Sequence, residues 1–411
     1  AFLGHSDLRT RVLGLDRAVS GKVRPSEAEL AKMETFLGDA LDAGLLGLST
    51  MTNPWDKLDG DRHRSAQLPS TYATWGEYRR LHSLLRERGA ILQSAPSLVT
   101  KVNSLLFLLE SAGLFFRKSL KTTLITMADA KSSPGLHRVM GGDLRWQTLP
   151  TPFEVYADGI DLVVFEEFGA GEAALHLADE VSRNALMKDS EYRRSFRRDY
   201  EKKWSPRVWQ RDFYDAHIVE CPDSTVVGKT FGEVADARKI HPVDAFLDLV
   251  VEHGKKLRWR TLIANHRPRE IERMVSEPAA LVGFADSGAH IRNMAFYSFP
   301  LRLLKLVRDA SLEGRTVMPI ERAVHRVTGE IGDWLGVDAG HLREGDRADL
   351  VVVDPVALDA RLDAYHEADM EGFGDLRRMV NRSDGAVACV LVNGRVACLL
   401  YTSPSPRDRT R

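Results

Sequence analysis

The chain has 411 residues, with 57 Lys and Arg against 58 Asp and Glu, a formal net charge of -1 and 44% hydrophobic residues. One hydrophobic core ordinarily organises about 250–300 residues, so this length predicts a large domain with a smaller companion. The charge balance excludes a strongly basic nucleic-acid binder and a chain drawn to anionic lipid by its net field.

The apolar runs at 43–51 and 104–116 are too short or too interrupted to span a bilayer. No charged-then-apolar leader opens the sequence as given. Cys221, Cys389 and Cys398 are dispersed and lack C-x-x-C spacing, which predicts neither a disulfide framework nor a cysteine zinc site. The expectation is a cytoplasmic protein without nucleic acid or membrane among its partners.

In chain order, Ala1-Phe2-Leu3-Gly4-His5-Ser6 reads as a strand running into a loop. Ser26 with Glu29 three residues on has the spacing of a capping box. Leu30, Met33, Leu37, Ala40 and Leu41 follow at helical spacing, and Gly44 sits where a C-terminal glycine belongs. Residues 45–51 form a short apolar run, a buried-strand candidate. A helix over 75–88 leads through Gly89 to a strand at 90–94, and a helix over 102–113 leads to a strand at 122–127. Further strands are expected at 145–149, 260–264 and 281–285. Helices alternating with buried strands argue for βα units on a parallel sheet. The expected fold is therefore α/β, an incomplete (β/α)8 TIM-like barrel over residues 1–335.

Two stretches depart from that pattern, both within an insertion at about 150–240. Residues 161–165 are an extra strand-like run. Residues 183–211 are rich in Lys and Arg with Tyr192, Phe196, Tyr200, Trp204 and Trp209 interleaved. The expected arrangement is an amphipathic helix whose aromatics face inward and whose charges face water, placed as a candidate lid. After Pro319 one helix, with Ile320, Ala323, Val324, Val327, Ile331 and Trp334 on one face, closes the barrel region. A strand at 350–353 and another at 387–392, the latter followed by the two-residue turn Asn393-Gly394, predict a small β module at 336–397. Residues 398–411 lack periodicity and resemble read-through of a sequencing-library adapter, so they are expected to be a non-native tail.

Four phrases carry a resemblance to a known family. Gly345-Asp346-Arg347-Ala348-Asp349-Leu350-Val351-Val352-Val353-Asp354 resembles the returning β module of the amidohydrolase superfamily. Gly4-His5-Ser6-Asp7-Leu8-Arg9, Leu46-Gly47-Leu48-Ser49-Thr50 and Phe284-Ala285-Asp286-Ser287-Gly288-Ala289-His290 resemble motifs of its N-acyl-D-amino-acid deacylase, or D-aminoacylase, branch. The resemblance implies a barrel holding one or two zinc ions at the C-terminal ends of its strands. It implies a metal-activated water and a strand-eight aspartate, here Asp286, that takes and delivers the proton. By position Asp286 and His290 are candidate metal ligands. His5, Arg9, His290 and Arg292 are candidate substrate-binding residues, and His266 ends a candidate barrel strand. Arginine suits a substrate carboxylate because it can bind both oxygens.

The same resemblance implies that the chain begins near strand three, with the family's H-x-H and strand-two cysteine upstream of residue 1. The strand-five and strand-six histidines would fall at 93–96 and 126–129, where the sequence has none; Asp129 is a substitute there. The expected activity is metal-dependent hydrolysis of linear amide C–N bonds in a small N-acyl amino acid. One alternative is a catalytically degenerate barrel that binds a ligand. Another is a cyclic-amide amidohydrolase of the dihydropyrimidinase type. That type uses a strand-four lysine carbamate, and residues 47–50 offer no lysine.

Overall fold

The structure is a computed structural model that describes residues 1–58, 62–95, 106–107, 109–112, 118–125, 142–202, 209–283, 285, 290–380, 383 and 385–399. The chain divides into two compact units. One comprises 1–126, 130–146 and 153–266; the other comprises 127–129, 147–152 and 267–411.

The first unit opens on strand β1 (Leu3–Gly4), which runs into the helix His5–Leu13 rather than the expected loop. Strands β2 (Gly47–Met51), β3 (Ile91–Ala95) and β4 (Lys121–Ile125) follow, each pairing in parallel with its predecessor, and β5 (Leu144–Thr148) is next in order. Leu3, Leu48, Leu92 and Thr122 stand opposite one another in successive strands. The capping box forms as the sequence predicts: Ser26 Oγ accepts from Glu29 N–H, and the Glu29 carboxylate accepts from Ser26 N–H at 2.8 Å. The capped helix, Glu27–Asp42, presses Met33 and Leu37 onto Leu48 and Leu92, and the helix Trp75–Arg88 adds Leu81 and Leu85. Gly47 permits the close approach of β2 to β3, because a Cβ there would collide with the Ile91 carbonyl. Consecutive strands lying side by side, with helices between β1 and β2 and between β2 and β3, agree with the α/β expectation, and parallel strands buried this way are the wall of a βα fold.

The insertion departs from its expected form. Residues 161–165 are not a strand: Asp161 makes one bridge to Asp158, and Val163–Glu167 is a 3-10 turn. Residues 260–264 do not extend the parallel sheet. They belong to β8 (Arg258–Ala264), the middle of a three-stranded antiparallel sheet between β6 (Phe153–Asp158) and β7 (Ala216–Glu220). Phe165, Phe196, Trp209, Phe213, Phe231, Phe246 and Trp259 fill the space over this sheet, all with less than 2% exposure. Neighbouring rings meet edge-on or stacked, as between Phe213 and Phe246 at 4.8 Å. Trp209 donates from Nε1 to Thr261 Oγ1 at 3.0 Å, and Trp259 to the Gly159 carbonyl at 2.7 Å. The described part of the charged stretch holds two helices, Glu180–Lys188 and Ser190–Glu201, with Tyr192 and Phe196 inward; Trp204 lies outside the described residues. Arg193 and Arg197 on the polar side pair with Asp248 and Asp244.

In the second unit, Thr148 accepts a hydrogen bond from Gly283, just beyond β9 (Ala280–Val282). The helix Phe299–Leu312 packs Leu303 and Val307 against Ile271, Val275 and Val282. The single helix expected after Pro319 is two, Ile320–Arg326 and Gly329–Leu335, broken at Thr328 where the backbone leaves helical dihedrals. The β module holds β10 (Leu350–Val353), β11 (Glu367–Asp369), β12 (Arg377–Met379), β13 (Val387–Val392) and β14 (Arg395–Leu399). β13 lies between β10 and β14, and β11 pairs with β12. Asn393 and Gly394 both have positive φ, as a two-residue hairpin turn of this twist requires. Cys398 and Leu399, the start of the expected tail, are the last residues of β14 and pair with Val390 and Cys389. Among the described residues no helix is long and apolar enough to cross a membrane.

Candidate functional site

The C-terminal ends of β1 and β2 converge on a buried polar group. His5 opens its helix directly after β1, and Arg9 follows one turn later on the same face. Glu77, from the first turn of Trp75–Arg88, joins both. His5 Nε2 lies 2.8 Å from Glu77 Oε1, Arg9 donates to Glu77 Oε2, and His5 Nδ1 is 3.0 Å from Thr50 Oγ1. Tyr78 donates its hydroxyl to the Ser70 carbonyl at 2.9 Å and touches Thr50 at 3.3 Å. His5, Arg9 and Glu77 have no exposed side-chain surface.

Burial lowers the His5 imidazole below its ordinary range, so it is neutral, with Nε2–H donating to Glu77 and Nδ1 accepting from Thr50. Burial acts to raise the Glu77 carboxyl, but the donors on His5 and Arg9 outweigh it and hold Glu77 below the usual carboxylate range. The Arg9 atoms Nε and NH2 are buried without hydrogen bonds. His5 and Arg9, expected to face substrate, are thus enclosed around Glu77, a residue the sequence pattern did not mark and the structure places in the first turn after the capping Thr74.

The remaining expected residues lie in the second unit or at a strand end. Asp286, expected as general base and metal ligand, lies outside the described residues, as does Asp129. His290 is half-buried, and its carbonyl accepts from the N–H groups of Asn293 and Met294. Arg292 NH1 pairs with Glu367 Oε1 at 2.7 Å and donates to the Arg377 carbonyl at 3.3 Å, so its guanidinium is held by β11 and β12. His266 is exposed beyond the end of β8.

The described strand ends do not suit zinc. β2, β3 and β4 finish in Thr50-Met51, Ser94-Ala95 and Leu124-Ile125. The buried hydroxyls of Ser94 and Thr123 lack hydrogen-bond partners, but zinc takes thiolate, imidazole or carboxylate. The imidazole after β1, that of His5, has both nitrogens engaged. The described ends of β2, β3 and β4 therefore offer zinc no ligand set.

A second cluster in the first unit escaped the sequence, because 161–165 looked like a strand. Glu166 on the 3-10 turn, Glu172 on the helix Gly169–Leu175 and His176 just after it bring one ligating atom each within 4.8 Å of one another. His176 Nε2 is 3.4 Å from Glu172 Oε1 and 3.8 Å from Glu166 Oε2. Burial, with Glu172 and Asp56 nearby and only partly offset by Lys57, pushes the Glu166 carboxyl up to about 7. Lys57, on the loop that leaves β2, reaches Glu172 Oε1 at 2.9 Å. The legible signal was the Glu-x-x-x-His spacing, which puts both side chains on one helical face.

No protein-family profile matches the chain. It is 54% identical over 410 residues to an uncharacterized protein of Mycobacterium tuberculosis, and equally to one of Mycobacterium bovis, covering 96% of this chain and 67% of each relative. Among solved structures it resembles an N-acyl-D-glutamate deacylase of Bordetella bronchiseptica, complexed with zinc and a phosphonate that mimics the tetrahedral intermediate. That match has a TM-score of 0.55 and 19% identity, over 99% of this chain and 69% of the deacylase. It also resembles a D-aminoacylase described for its binuclear metal centre, with a TM-score of 0.52 and 17% identity, over 96% of this chain and 67% of the enzyme. The chain thus belongs to the family of these mycobacterial proteins, and its fold is that of the deacylase branch of the amidohydrolases.

Proposed function

We propose that the protein hydrolyses a linear amide C–N bond in a small N-acyl amino acid, with D-configured substrates favoured. The observation that carries this reading is the deacylase fold over nearly the whole chain, joined to the phrase at 284–290 whose acid is Asp286. Asp286 is assigned as the base that takes a proton from the attacking water and returns it to the leaving nitrogen.

The test is turnover of a panel of N-acyl-D- and N-acyl-L-amino acids, with and without added zinc. Asp286→Asn should lower kcat by about 10²–10⁴-fold while leaving the fold intact. A folded protein that turns over no member of the panel would sink the proposal. It would favour a second reading, a non-catalytic barrel that binds such molecules. The hydroxyl and apolar ends of β2, β3 and β4 support that second reading.

A further inference from the structure

We infer that Glu166, Glu172 and His176 form a binding site for a divalent transition-metal cation, with zinc the natural probe. Two carboxylates and one imidazole match the oxygen and nitrogen donors such ions take. Ligand atoms all within 4.8 Å of one another need only small rotations to reach an ion at about 2.0–2.2 Å from each. Three protein donors leave a coordination position open to water or a ligand.

A second observation separates this cluster from an ordinary acidic patch. The Glu166 side chain is only 9% exposed, and its Oε2 is buried with no hydrogen-bond partner. His176 Nε2 is buried and equally unbonded. The 3.8 Å between these two atoms is too long for a hydrogen bond. Glu77 makes the contrast, since each of its oxygens has a donor. A carboxylate taken from water without donors is costly unless a proton or a cation neutralises it. The Lys57 ammonium, which acts on Glu166 from nearby, is already committed to Glu172.

The scaffold is also set before any ion arrives. All three ligands come from one short stretch of chain, and Gly171 fixes its helix tightly against the Phe165 carbonyl, with no room for a Cβ. Lys57 approaches from the loop after β2, the edge of a parallel sheet at which α/β proteins place ligands. Lys57 is the built-in competitor for the ion. None of the three ligands lies at a parallel-strand end, so the inference does not rest on the deacylase reading.

The experiment strips the 411-residue chain with chelator and titrates it with zinc, using cobalt(II) absorption to report the donor set. One equivalent should bind, and His176→Ala and Glu166→Gln should each weaken that equivalent by at least about tenfold. Lys57→Met should tighten it. Circular dichroism monitors folding; if Glu166→Gln fails to fold, His176→Ala decides, because His176 is 36% exposed and outside the core. The inference is overturned if no zinc binds below about 1 mM. It is equally overturned if His176→Ala binds zinc as the parent does, or if Lys57→Met weakens binding.

Discussion

At the scale of single residues, Glu77 matters most to the buried network. It accepts from His5 and Arg9 where none of the three meets solvent. Removing one partner of a buried ion pair leaves an uncompensated charge and typically costs about 3–5 kcal/mol. Glu77→Gln should show a loss of that order in urea unfolding. Adding Arg9→Met should recover much of it, since the stranded guanidinium is then gone. The phrase Gly4-His5-Ser6-Asp7-Leu8-Arg9 marked two members of the network in the sequence. Its third member lies 68 residues beyond Arg9, and no local pattern tells a capping-position glutamate that faces water from one that faces a guanidinium. His176 was missed for a related reason: Glu172 lies one helical turn before it, but Glu166 became its neighbour only when Val163–Glu167 turned instead of extending.

At the scale of elements, local chemistry was legible and partner choice was not. The helix Glu27–Asp42 appears where its capping box and apolar spacing put it, and Trp75–Arg88 ends at Gly89 as expected. Ser26→Ala should cost about 1 kcal/mol, read as a lower denaturation midpoint. Gly47→Ala should cost more, because β2 or β3 must move to clear the Ile91 carbonyl. By contrast, Arg258–Ala264 has an apolar run suited to any buried strand, and such a run does not say whether its neighbours are parallel or antiparallel. Leu162-Val163-Val164-Phe165 has strong strand character, yet the turn at Gly159 and the aromatic packing around Phe165 override it.

For the whole molecule, acid should unfold the first unit in two stages. Burial holds His5 and His82 neutral, with pKa values below their ordinary range. A base depressed in this way binds its proton more readily in the unfolded chain. Its contribution is complete above the unfolded value, near 6.5, and is lost as pH falls below it. Glu77, an acid with a depressed pKa, contributes above about 4.3, and its share is lost at still lower pH. In a Glu166→Gln background, which removes a raised carboxyl that contributes in the opposite sense over the same window, urea midpoints should therefore fall between pH 7 and pH 5 and fall again below pH 4. His82→Leu should flatten the first decline; an unchanged slope would show that His82 is not held neutral. The α/β class was legible from the alternation of helices and buried strands, whereas the antiparallel sheet of the insertion was not, because its pairing spans a long stretch of chain.

That pairing has a consequence for how such a protein could arise. Phe153 at the start of β6 stands opposite Ala264 at the end of β8, so the chain enters and leaves the aromatic-filled insertion at adjacent points. A segment with neighbouring ends and its own core can be gained or lost by one genetic event without re-threading the parallel sheet. Residues 153–264 expressed alone should accordingly melt cooperatively, and related genes could carry or lack them as one block.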